Sequence, residues 1–86
     1  MGTPAGDAQS REYNAAIREG TLRYAMLEQL RKPKAEFAPV VRAHFGARKA
    51  AVLAECRSWV ADTLDPGRKA TMDRLVKELE AELEKL

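Results

Sequence analysis

His44 and Cys56 are the side chains of this 86-residue sequence best suited to act as a base, a nucleophile or a metal ligand, and each is the single residue of its type. On one continuous helix their spacing corresponds to a rise of about 18 Å and leaves them roughly 120° apart around the axis. They could not then work as a pair. One histidine and one cysteine are also too few to close a structural zinc site.

Cys56 shares a predicted helix face with three apolar residues, which are Val52, Trp59 and Val60. A free cysteine in such surroundings behaves as a small hydrophobic residue, so we expect a buried and unreactive thiol. His44 is expected to be a partly exposed polar residue rather than a ligand. The sequence therefore predicts no metal site.

Acidic residues alternate along the C-terminal segment, at Glu78, Glu80, Glu82 and Glu84. General acid–base catalysis needs a cleft that shifts the pKa values of its carboxyl groups. A single exposed helix face offers no such cleft, and the sequence has no glycine-rich phosphate loop. We therefore predict a protein that is not an enzyme, without catalytic residues and without a cofactor.

The net charge of +2 hides an uneven distribution. Residues 31–57 carry seven basic and two acidic side chains, a net charge of +5, whereas residues 72–86 carry three basic and five acidic ones, a net charge of −2. These two segments can attract each other within one chain or between chains.

The basic segment also permits an alternative function, that of a small helical nucleic-acid-binding domain. Nucleic-acid-binding domains usually have a more strongly basic surface than an isoelectric point of about 8.9 indicates. We therefore keep this function as the alternative. Its candidate phosphate contacts are Arg31, Lys32, Lys34, Arg42, Arg48 and Lys49.

The first predicted helix begins near Asp7 or Ser10 and ends before Pro33, because the residue preceding a proline avoids helical backbone angles. Residues 1–8 are small and polar and are expected to form a flexible tail. Gly20 is a weak point, since glycine favours helix termination. We predict one long helix that continues through this glycine.

The second predicted helix covers about residues 39–63, with Gly46 as a position where it could kink or break. The third covers residues 66–85. Asp65 can cap its free backbone N–H groups, and Pro66 suits the first helical position.

No segment of useful length alternates between apolar and polar residues, so the sequence predicts an all-α fold. We expect a small bundle of three to four helices with a long amphipathic C-terminal helix, in a single domain over residues 9–86. Leu22, Met26 and Leu30 form a second apolar row on the first helix. The predicted body of the core is Tyr13, Ile17, Tyr24, Leu27, Phe37, Val41, Phe45, Val52, Trp59 and Val60.

The third helix carries an apolar stripe that continues to the last residue. A chain of this size has a small core, and it has no disulfide to add stability. The stripe is either a face of the chain's own core or an interface. We predict a protein–protein interaction or self-association module, a scaffold, with a dimer or a helical protein as partner. The predicted interface is Met72, Leu75, Val76, Leu79, Leu83 and Leu86.

No apolar run approaches the roughly 18 residues that a membrane-spanning helix needs. The first six residues also lack the basic and apolar regions of a signal peptide. A free cysteine suits a reducing compartment. We therefore expect a cytoplasmic protein that does not associate with membranes.

Overall fold

The computed structural model describes residues 4–86, with side chains from residue 9 onward. The first helical rod comprises α1 (Pro4–Gly20), a π-helical segment (Thr21–Leu27) and α2 (Glu28–Arg31) without interruption. Three further helices follow, which are α3 (Ala38–Gly46), α4 (Lys49–Asp62) and α5 (Pro66–Glu84). The described residues form no strand. The prediction of an all-α small bundle is therefore confirmed.

Helix α1 begins at Pro4, several residues before the predicted start. Proline is well suited to a first helical turn, because its missing N–H would have had no partner there. Residues 4–8 of the segment predicted as a tail thus have helical backbone. Residues 1–3 lie outside the described residues.

The first rod continues through Gly20, as predicted, and widens into the π-helix directly after it. The Thr21 hydroxyl donates a hydrogen bond to the Ile17 carbonyl at 2.9 Å. Such bonds from threonine to the preceding turn distort helices, and π-helical turns are local departures from α-helical geometry. The weak point at Gly20 is therefore a change of helical pitch rather than a break.

The prediction of a single helix over residues 39–63 is wrong, because the helix ends at Gly46 and a new one begins at Lys49. Helix α3 ends there, and Arg48 N donates to the Phe45 carbonyl at 3.1 Å in the turn before α4. Glycine inside a helix costs about 1 kcal/mol relative to alanine. The possible break noted at this glycine is the outcome, and the neighbouring Phe45 is buried in the core.

The start of α5 is as predicted. Asp65 Oδ2 accepts a hydrogen bond from Arg68 N at 2.8 Å, and Pro66 occupies the first helical position. The cap satisfies one of the backbone N–H groups that a helix start leaves without a partner.

The core lies between α5 and the face of the first rod that carries Leu22 and Leu27. Met26 and Leu30 are partly buried against it, so the second apolar row of the first helix is the one that faces inward. The buried members of this cluster are Leu22, Leu27, Phe45, Cys56, Met72, Leu75, Val76, Leu79 and Leu83.

Four residues predicted for the core are exposed instead, namely Tyr13, Ile17, Tyr24 and Phe37. The first rod carries two apolar rows, and only one of them can face α5. The row with leucine and methionine packs inward, and the row with the tyrosines faces away. Of the other six, Leu27 and Phe45 are buried, whereas Val41, Val52, Trp59 and Val60 are partly buried against the core.

Candidate functional site

Cys56 lies fully buried on α4, with its thiol Sγ 3.7 Å from the Met26 thioether sulfur. Burial, with a smaller contribution from the neighbouring Glu55, raises the pKa of the thiol from 9.0 to about 11. A thiol is a nucleophile only as its thiolate, and this one keeps its proton near neutral pH. The predicted buried thiol is confirmed, and Cys56 is not placed for nucleophilic attack.

His44 lies on α3 and is exposed. Its ring stands edge-on to the ring of Phe45, with 5.4 Å between the ring centres, and its Nδ1 lies 3.3 Å from Arg48 Nη1. The expectation that His44 and Cys56 share one helix is wrong, yet their side chains still engage different partners. Among the described side chains, those of residues 9–86, no cluster of histidine, cysteine and acidic groups could hold a metal ion.

The acidic residues of α5 lie opposite arginines from other helices. Arg31 donates from Nη2 to Glu78 Oε1 at 3.0 Å and from Nε to Glu82 Oε2 at 3.2 Å, and Arg57 pairs with Glu80. These side-chain hydrogen bonds raise the pKa of Arg31. Partial burial favours the neutral form of Glu82, but hydrogen bonds from Arg31 and Lys85 outweigh it and lower the pKa of that carboxyl.

The attraction between the basic and acidic segments is thus made within one chain. Of the six candidate phosphate contacts, Arg31 is ion-paired with α5, Arg48 lies against His44, and Lys49 Nζ donates to the Leu86 carbonyl at 3.3 Å. The remaining candidates, Lys32, Lys34 and Arg42, are exposed.

The predicted interface stripe of α5 mostly faces the chain's own core. Leu86 is 37% exposed. The first rod, α3 and α4 cover the rest, so a partner could reach them only if the helices separated. An interface through this stripe stays a prediction. The covered side chains are those of Met72, Leu75, Val76, Leu79 and Leu83.

A groove of about 690 Å³ lies between the end of the first rod and α5. Leu27 and Leu75 contribute apolar side chains to its lining, and the guanidinium of Arg31 is held by Glu78 at its edge. Six of the nine lining residues are charged, unlike the mostly apolar lining that is typical of small-molecule pockets. The lining residues are Arg23, Tyr24, Leu27, Glu28, Arg31, Lys32, Arg74, Leu75 and Glu78.

The exposed apolar face of the first rod was not predicted to be a surface. We call it the outer stripe, and it consists of Tyr13, Ile17, Gly20 and Tyr24. The two tyrosines are 68% and 65% exposed and the isoleucine is 50% exposed. The two apolar rows of the first predicted helix could have indicated this surface. A helix with apolar residues on opposite sides needs a packing partner on each side.

Comparisons with known proteins find relatives that are named as ubiquitin-conjugating enzymes. Over 61 residues, 71% of the chain, it is 44% identical to the human dual E2 ubiquitin-conjugating enzyme/E3 ubiquitin-protein ligase BIRC6. Over 60 residues, 70% of the chain, it is 41% identical to the Caenorhabditis elegans protein named "Probable ubiquitin-conjugating enzyme protein 17". No protein-family model matches the chain.

A more distant relative covers more of the chain. The mimivirus protein named "Probable ubiquitin-conjugating enzyme E2 R521" is 27% identical over 78 residues, 91% of this chain. The chain is short beside all of them, since the aligned segment spans 1% of the human relative, 8% of the nematode relative and 5% of the viral one.

These similarities correct the functional predictions. The prediction of a non-enzymatic scaffold or self-associating dimer is wrong, because the relatives at 41% to 44% identity are named ubiquitin-conjugating enzymes. These names give no support to the alternative of a nucleic-acid-binding domain. A protein partner agrees with them, since the relatives act on ubiquitin, which is a protein.

Among the described residues, no helix is both long and apolar enough to cross a membrane.

Proposed function

We propose that this chain takes part in ubiquitin conjugation as the helical portion of a ubiquitin-conjugating polypeptide. The observation that carries the proposal is the 44% identity to the human relative over 61 residues. The nematode relative supports it independently at 41% over 60 residues. An expected cytoplasmic location belongs to the same proposal and is supported by the unpaired Cys56.

The burial of Cys56 supports a non-nucleophilic role for this portion. Cys56 has a raised pKa and no exposed surface, so it does not supply the nucleophile for a transfer reaction. In our proposal the reacting groups come from residues that correspond to the remaining length of the relatives. The four helical rods then serve as a rigid part of the same enzyme, with surfaces that position those groups.

The test is a graft of this chain into the nematode relative in place of the aligned 60 residues. The graft is supplied with activated ubiquitin, and ubiquitin conjugates are measured over time. We expect the graft to form conjugates, whereas the relative with the aligned segment deleted should form none. A folded graft that is as inactive as the deletion would overturn the proposal.

A second variant tests whether Cys56 takes part in the transfer chemistry. Cys56→Ala in the graft should leave the conjugation rate within about twofold, because the thiol is buried and protonated. If the rate falls to that of the deletion while the graft keeps its melting temperature, Cys56 is the nucleophile and the assigned division of labour is wrong.

A further inference from the structure

The α1 members of the outer stripe lie on the side of the helix opposite the face that packs on the core. At 100° per residue, the α1 members Tyr13, Ile17 and Gly20 fall within roughly 60° of one another around the helix axis. Ala15, which is 4% exposed and belongs to the buried side, lies on the far side of the same helix. Helix α1 therefore carries an apolar face that its own chain does not cover.

The α1 part of the outer stripe has uncharged surroundings, whereas Tyr24 lies four residues before Glu28 and lines the groove with Arg23. Around the helix, the nearest neighbours of Tyr13 and Ile17 outside the stripe are Gln9, Ser10, Asn14, Ala16 and Thr21. The solvent side of α5, in contrast, holds the ion pair between Asp73 and Lys77. The uncharged part, with Tyr13 and Ile17, resembles the centre of a protein interface, where charged residues are depleted and aromatic ones enriched. The surface that fits it is itself apolar and uncharged, because a buried charge without a partner is costly.

Gly20 lies within this patch, and a side-chain carbon there would meet nothing within 4 Å. The chain's own packing therefore does not require a glycine at this position. A glycine inside a helix costs about 1 kcal/mol relative to alanine. On the outer face it leaves a notch between Ile17 and Tyr24 in which the backbone of a neighbour can approach closely.

The size of the outer stripe indicates a tethered neighbour. At their observed exposures, Tyr13, Ile17 and Tyr24 together offer roughly 350 Å² of surface, well below the roughly 800 Å² per partner of a stable free complex. A contact this small is sufficient when both surfaces belong to one polypeptide, because tethering raises the effective concentration. The relatives place the aligned segment within much longer polypeptides.

We propose that the outer stripe docks against an uncharged apolar surface of the remaining part of the ubiquitin-conjugating polypeptide and so holds this helical portion against the part that carries the chemistry. The inference rests on the proposed function. It specifies which face of the chain makes the junction.

Hydroxyl-radical footprinting of the graft and of the isolated 86-residue chain tests this docking. Tyr13 and Tyr24 should be protected at least about fivefold in the graft, as expected for the desolvated centre of an interface. Phe37, which is 53% exposed and is not a member of the outer stripe, is the internal control and should react equally in both. Equal reactivity of the two tyrosines in graft and isolated chain would overturn the inference.

Matched variants add a functional measurement. Tyr13→Ser with Tyr24→Ser should leave the melting temperature of the isolated chain nearly unchanged, since both side chains are exposed there, but should reduce conjugation by the graft at least about tenfold. Phe37→Ser with Val40→Ser alters a similar exposed apolar area and should leave both quantities unchanged. A graft equally sensitive to the two pairs would contradict docking through the outer stripe.

The outcomes separate the two proposals. An active graft with unprotected tyrosines would refute the docking and leave the proposed function standing. An inactive graft with protected tyrosines would refute the function and leave the docking standing. Protection that grows with the concentration of the isolated chain would identify a second copy as the occupant and would also refute the inference.

Discussion

At the scale of single residues, Cys56 shows why residue type alone does not identify a reactive group. Cys56 is the chain's single cysteine, and the relatives of the chain are named as enzymes. The Cys56 thiol is nevertheless buried beside the Met26 sulfur, and its pKa is raised to about 11. Thiolate formation, rather than the presence of sulfur, decides nucleophilicity. Cys56 is part of the packing of this molecule.

The raised pKa of Cys56 predicts a dependence of stability on pH. The unfolded thiol loses its proton near pH 9.0, before the folded one does at about 11. Below about pH 9 the group has no effect on the pH dependence, and between about pH 9 and 11 it lowers the free energy of unfolding as the pH rises. Urea titrations at several pH values in this range should show a smaller decline in the free energy of unfolding for Cys56→Ala than for the parent. The same dependence of this free energy on pH in both proteins would contradict the assigned burial.

At the scale of helices, the residues that start and stop each element act through local chemistry. Asp65 caps α5 through the 2.8 Å bond from Arg68 N. Asp65→Ala should cost about 1 kcal/mol and lower the melting temperature by roughly 4–8 °C. The control is Asp73→Ala, which removes only an exposed pair with Lys77 and should cost less than about 0.5 kcal/mol. Equal effects of the two changes, measured by thermal unfolding, would show that the cap contributes nothing.

Stability measurements can also test whether the tyrosine side of the first rod is exposed, as assigned, or part of the core. Leu79 is fully buried, and Leu79→Ala should cost about 2–5 kcal/mol, a large share of the stability of a domain this size. Tyr24→Ala removes a larger side chain that is 65% exposed and should cost less than about 0.5 kcal/mol. Denaturant unfolding of both variants checks this, and a larger loss for Tyr24→Ala would reverse the assigned facing of the first rod.

These elements also show how much the sequence could predict. Asp65 and Pro66 predicted the start of α5 correctly, because capping depends on neighbours in sequence. The break at Gly46 was only one of two outcomes, since glycine weakens a helix without deciding whether distant packing overrides it. The facing of the first rod was wrong, because two apolar rows are equivalent until their partner helices are known.

The function was less accessible from sequence than the fold. The outer stripe was assigned to the core because Tyr13, Ile17 and Tyr24 have the periodicity of an inward face, and periodicity does not distinguish a core from a surface that a neighbour covers. The chain also has no motif of activated nucleophile and base. Similarity to longer proteins supplied what neither spacing nor composition contained.

At the scale of the whole molecule, the charge pattern is explained by the fold. Arg31 and Arg57 join the basic segment to Glu78, Glu82 and Glu80 on α5. Exposed ion pairs of this kind contribute little individually. The outer stripe then remains the principal apolar surface of the first rod that its own chain does not cover.

The rate of ubiquitin conjugation by the graft tests the central claim most directly. The nematode relative carrying this chain in place of its aligned segment is compared with the intact relative and with the same relative carrying an unrelated helical bundle of equal length. We predict a rate within about tenfold of the intact relative, a loss of no more than about 1.4 kcal/mol in transition-state stabilisation, and no conjugates from the unrelated bundle. A folded graft that forms no conjugates, or equal rates from both grafts, would contradict the claim.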